Sequence, residues 1–194
     1  MDGGGAGAAT LVLGLGNPIL GDDGVGWHVA DAVEVRVADS GVVGDVEVDR
    51  LSLGGLRLME RLIGYDRAIL VDAVETGTVP PGTVRCLRLD ELPDPGRARL
   101  ASAHDGSLAA ALAVGRALGA RLPDSPWVVA VEARLDTEFD DRLSAPIGMA
   151  VGAAVGQVMR LLAEVKAGPA GDQPGDVPGA RDVGQAKGVG TCTS

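Results

Sequence analysis

The stretch "LVLGLGNPILGDDGVGWHVADAV" (residues 11–33) decides the fold. It opens as a short apolar run closed by glycine, which reads as a buried strand over 10–16. It ends in "GVGWHVADAVEVRVA", where Val25, Val29, Ala32 and Val33 recur at helical spacing and form one apolar face. A glycine-bearing turn between strand and helix is where open α/β folds place a nucleotide. This turn instead carries two adjacent acids, Asp22 and Asp23, which would repel a pyrophosphate. Gly14 and Gly16 fit G-x-G-x-x-G, but Ile19 stands at the third position, and no G-K-[ST] follows. Dinucleotide and P-loop chemistry are set aside on those grounds.

Strand and helix signals alternate outward from this unit. "DVEVDRLSL" (45–53) reads as a strand. "GGLRLMERLIG" (54–64) reads as a helix with Leu56, Met59, Leu62 and Ile63 inward and Gly64 ending it. "RAILVDAV" (67–74) is a second buried strand, and a Pro-Pro-Gly turn precedes a strand at 83–89. A helix at 107–120, a strand at 126–134 and a long amphipathic helix at 146–167 complete the pattern. The alternation predicts a three-layer α/β/α domain with a twisted, mostly parallel central sheet, a phosphorylase/hydrolase-like arrangement, over residues 10–167. Residues 1–9 read as a loose Gly/Ala-rich N-terminus, and the Gly/Pro-rich 168–194 as a disordered tail.

Composition narrows the partners. Hydrophobic residues make up 46% of the 194 but aromatics only 2%, so the core is built of Val, Leu, Ala and Ile. A net charge of −10 argues against nucleic acid, whose binding rests on Lys and Arg. Asp2 stands where a signal peptide would be basic, and no run approaches ~20 uninterrupted apolar residues. The expectation is a cytoplasmic protein that engages neither nucleic acid nor membrane. Cys86 and Cys192 have no paired spacing, so neither a disulfide framework nor a cysteine zinc site is expected.

Right-handed crossovers put the C-terminal strand ends along one rim, where sites in such folds gather. Asp22 and Asp23 follow the first strand, Asp72 ends "RAILVDAV", and His104 in "ASAHDGSL" precedes the helix at 107. Each has a plainer reading: turn and capping acids for the pair, a cap or ion pair for Asp72, a surface or capping residue for His104. Together, two carboxylates and an imidazole suit a divalent first-row metal such as nickel, zinc or manganese, with coordination positions left open. His28 lies on the polar side of its helix and reads as structural. A nucleophile is hard to find. Cys86 lies inside a strand and reads as a buried core thiol; Ser102, His104 and Asp105 are too close in sequence to form a triad; no G-x-S-x-G is present.

"GLGNP" also opens bacterial peptidyl-tRNA hydrolases, but "ILGDDGVG" and the negative charge do not fit a tRNA esterase. "GLGNPILGDDGVG", "ILVDAVETG" and "SAHDGSL", with the late "VEARLDTEFDDRLSAPIGMAV", together resemble the [NiFe]-hydrogenase maturation endopeptidases over roughly residues 10–165. The resemblance implies a twisted sheet between helices and removal of a C-terminal extension from the nickel-loaded hydrogenase large-subunit precursor. It implies metal contact through Asp23, Asp72 and His104, with nickel supplied by the precursor. Some members of the family have Glu where this chain has Asp23. A nickel chaperone using the same three residues is the alternative, and a peptidyl-tRNA hydrolase-like esterase a weaker one.

Overall fold

The computed structural model describes residues 9–39, 46–52, 55–91, 99–100, 108–135 and 139–167. Strand β1 (Thr10–Leu15) is buried along its whole length. A 3₁₀ turn (Gly21–Gly24) leads into helix α1 (Val25–Asp39). Strand β2 (Val46–Leu51), helix α2 (Gly55–Leu62) and strand β3 (Arg67–Glu75) follow. Then come β4 (Val84–Arg88), the two-residue β5 (Arg99–Leu100), α3 (Leu108–Ala117), β6 (Trp127–Glu132) and α4 (Ala145–Ala167).

The strands order β2-β1-β3-β6-β4, with β5 added against β3. β1 runs parallel to β2 and β3, and β3 parallel to β6. β4 is antiparallel to β6. The reason is the connection: residues 76–83 form a Pro80-Pro81-Gly82 turn, too short for the crossover a parallel strand requires. The sheet is therefore mostly parallel, as the alternation predicts, except for β4 at its edge and the two-residue β5, both antiparallel to their neighbours.

The period of two sorts the strand residues into two cores. Val12, Ile69, Val71, Val129 and Val131 meet Val25, Val29 and Val33 of α1 and Ile147, Ala154 and Val158 of α4. Leu11, Leu13, Leu70, Val74, Val128 and Ala130 meet Leu58, Met59 and Leu62 of α2 and Leu112 of α3. Helices thus cover both faces, giving the three layers. In α2 the inward face is rotated from the one expected: Leu58 is buried, while Leu56 and Ile63 are 59% and 46% exposed. α2 lies on the sheet by Gly55, Leu58, Met59 and Leu62, an i, i+3, i+4, i+7 stripe that leaves positions 56 and 63 outside.

α4 is long and apolar enough by composition to cross a membrane. One side of it, from Ile147 through Ala150, Ala154, Val155 and Val158 to Leu161 and Leu162, is packed into the core. Residues 1–8 and 168–194, on which the expectations of a loose start and a disordered tail fall, lie outside the described residues.

Candidate active site at the strand rim

Residues 16–24 leave β1 and close on themselves before α1 begins. The Asn17 N–H donates to Asp23 Oδ2 at 2.6 Å, and the Leu20 N–H donates to the Asn17 carbonyl at 3.1 Å. The glycines of the stretch serve backbone approach, and no phosphate is needed to explain them. A Cβ on Gly16, whose φ is +115°, would lie 1.8 Å from the Asp23 carbonyl oxygen. A Cβ on Gly26 would lie 2.2 Å from the Leu15 carbonyl oxygen and 2.5 Å from that of Val71. The start of α1 therefore rests directly on β1 and β3, and the acidic turn hangs over the end of β1.

The two acids have different surroundings. Asp23 is buried, with only 8% of its surface exposed. Asp22 is half-buried and binds another part of the chain: the Ser144 N–H donates to its Oδ1 at 2.7 Å and the Ser144 hydroxyl to its Oδ2 at 2.8 Å.

Asp72 is wholly buried. It does not end its strand, because β3 continues to Glu75 and Asp72 pairs with Ala130 of β6. Its position at the rim comes from its other neighbour. The β1 ladder closes at Gly14 opposite Val71, so β1 runs out beside Asp72. Lying between Leu70 and Val74 in the two-residue period, Asp72 points to the α2/α3 side. The space that β1 vacates is taken by β5, which pairs antiparallel with Val74 and Glu75. His104 falls outside the described residues, as do Ser102 and Asp105; the described residues on either side of this segment are Leu100 of β5 and Leu108 of α3. Asp23 and Asp72 thus come to one rim, at the end of β1. Among the described residues there is no group of three His, Cys, Asp or Glu poised to hold a metal.

His28 is exposed on α1, on the polar side of the helix as expected. Cys86 is half-buried rather than fully buried, because β4 is the sheet edge; it packs against the α1/α4 core, and burial pushes its thiol up. That does not favour a thiolate nucleophile.

Sequence reasoning missed Glu132. It is 2% exposed at the end of β6. Its Oε1 accepts the N–H groups of Thr76 and Gly77, both at 2.8 Å, and its Oε2 accepts the Thr76 hydroxyl at 2.8 Å and Arg85 Nη2 at 3.2 Å. An acid closing the apolar run "VVAVE" is the same signal that singled out Asp72. Ser144 was also missed, since its partner lies 122 residues away.

A family model described as hydrogenase maturation protease matches residues 28–161. The chain belongs to the hydrogenase maturation protease family. Among curated relatives, it is 33% identical over 84 residues to the hydrogenase 2 maturation protease of Escherichia coli K12, an alignment covering 43% of this chain and 49% of that protein. It is 31% identical over 109 residues to the hydrogenase expression/formation protein HupD of Thiocapsa roseopersicina, covering 56% of this chain and 48% of the relative. The chain thus spans about half the length of these curated relatives. Among solved structures, the hydrogenase maturating endopeptidase HybD of E. coli superposes with a TM-score of 0.59 at 24% identity, over 80% of this chain and 93% of that one. The solution structure of an E. coli endopeptidase gives 0.62 at 25% identity over the same shares. These likenesses show that the hydrogenase maturation protease fold is the one built here.

Proposed function

We propose that this chain is an endopeptidase that removes the C-terminal extension of a nickel-loaded [NiFe]-hydrogenase large-subunit precursor in the cytoplasm. It reads the precursor's nickel through Asp23, Asp72 and His104. Membership of the hydrogenase maturation protease family supports the reaction class. The single observation that carries the site is Asp72, a wholly buried carboxylate inside the apolar strand "RAILVDAV", lying where β1 gives way to the turn that bears Asp23. Carboxylates whose surroundings are set this closely by the fold cluster at functional sites.

The donor set fits the ion: carboxylates and imidazole suit nickel, and three protein donors complete a coordination sphere begun by the precursor. Nickel is here part of the substrate, and docking on it sets the scissile bond at a fixed distance from the rim. A precursor without nickel lacks that contact, which makes the ion a maturation check. Water serves as nucleophile. A carboxylate takes its proton as the oxygen adds to the scissile carbonyl carbon; the C–N bond then breaks, and the proton passes to the departing amine. No serine or cysteine nucleophile is required.

The test mixes the purified protein with nickel-loaded and with nickel-free precursor and follows the precursor's mass. Loss of a C-terminal peptide from the loaded form alone, reduced on the order of a hundredfold or more in Asp23→Asn, Asp72→Asn or His104→Ala, is the expected result. Tight nickel binding by the isolated protein with no change in precursor mass would replace this reading with the nickel chaperone.

A further inference from the structure

The proposed reaction uses Asp23 and leaves its neighbour Asp22 without a task. We propose that Asp22 is a positioning residue: it clamps the metal-reading turn to the start of α4 and so fixes where Asp23 stands. The inference rests on the endopeptidase reading and deepens it.

Both oxygens of Asp22 are committed to one residue. Oδ1 accepts the Ser144 N–H at 2.7 Å and Oδ2 accepts the Ser144 hydroxyl at 2.8 Å. Ser144 immediately precedes α4, and its own carbonyl accepts the Gly148 N–H at 2.8 Å, the first bond of that helix. A carboxylate at this point also meets the positive end of the helix dipole. Two backbone bonds run alongside: Asp140 N–H to the Ile19 carbonyl at 3.2 Å, and Gly21 N–H to the Asp140 carbonyl at 2.5 Å. α4 is in turn held in the core from its first turn, with Ile147 fully buried.

The two acids tie the turn at different reach, beside the two backbone bonds to Asp140. Asp23 accepts from Asn17, within the turn itself. Asp22 reaches outward and refers the turn to a rigid helix. Without the Asp22 contact, only the two backbone bonds to the Asp140 segment would refer the turn to the rest of the molecule, and a displaced Asp23 would hold the loaded precursor less tightly. In the "GDDG" pair, the first acid anchors and the second acts.

The experiment measures kcat and KM on nickel-loaded precursor, and binding of nickel-free precursor, for Asp22→Ala, Asp22→Asn, Ser144→Ala and the Asp22→Ala/Ser144→Ala double variant. Asp22→Ala should raise KM for the loaded precursor about tenfold, the loss expected for a hydrogen bond to a charged group. Binding of nickel-free precursor should not change. The double variant should be no worse than Asp22→Ala alone, because the two residues act as one contact. Asp22→Asn can still accept the Ser144 N–H and donate to its hydroxyl, so it should return to within about threefold of the wild type.

A purely structural defect would lower kcat with the folded fraction and leave KM alone, and that result overturns the inference. So does an Asp22→Asn protein as inert as Asp23→Asn, since the charge itself would then be used at the metal. If Asp22→Ala does not fold, Ser144→Ala, which removes one of the two bonds, carries the same KM test. Wild-type cleavage separates the two levels. Its absence removes the endopeptidase reading and this inference together, whereas its presence with Asp22→Ala unchanged removes this inference alone.

Discussion

A methyl group at position 26 would sit 2.2 Å from one backbone carbonyl oxygen and 2.5 Å from another, and neither strand can retreat. Gly26→Ala should therefore destabilise the protein by about 3 kcal/mol, or roughly 10 °C in melting temperature, measurable by calorimetry. An unchanged melting temperature would mean that α1 does not rest on β1 and β3 as described. Side-chain chemistry alone does not separate Asp22 from Asp23, and it is the family resemblance that picks out Asp23. They are chemically identical and adjacent, and either suits a turn before a helix. In the structure, the location of Ser144 and the burial of Asp23 tell them apart.

Among the elements, the turn from β3 to β4 is tied down by one buried side chain as well as by backbone bonds to β6. Glu132 accepts two backbone N–H groups and a hydroxyl of residues 76–77 and faces Arg85. Glu132→Ala leaves those donors and the guanidinium without their acceptor, a loss of about 3 kcal/mol that chemical denaturation would register. At the opposite side of the sheet, β2 meets α2 through Asp49. Burial pushes its carboxyl up, but the Arg61 guanidinium and the Arg50 N–H outweigh burial and hold it below its ordinary 3.8. A carboxyl lowered on folding contributes stability above its unfolded value, and that contribution is lost as pH falls through the folded value. Below about pH 4, then, Asp49→Asn should lose less stability than the wild type with further acidification, as followed by thermal melts across that range. A wild-type and variant acid limb of equal slope would remove Asp49 as a contributor. α2 and β3 also show the limits of reading elements singly. Leu56 and Ile63 obey helical spacing, yet which stripe turns inward is settled by the sheet beneath.

For the whole molecule, the net charge of −10 sets how a partner arrives. If the proposed precursor presents a basic face, its association with this protein should be steered by the field and slow as salt screens it. Association rates measured from low to physiological ionic strength should fall by tenfold or more, with dissociation little changed. A salt-independent association rate would show that steering contributes nothing to the encounter.

The alternation of strands and helices, the three layers and the mostly parallel sheet are legible in the amino-acid sequence. Those follow from the periodicity of apolar residues, which is local. The sequence also pointed to the rim and to Asp22, Asp23, Asp72 and His104 there; the pattern marked both acids of the turn alike, and His104 lies outside the described residues. The direction of β4, the inward stripe of α2, the continuation of β3 past Asp72, and the partners of Asp22 and Glu132 come from long-range packing. Each depends on a contact between residues far apart in the chain, 122 positions in the case of Asp22 and Ser144, and no local pattern encodes which distant group will be there to accept or donate.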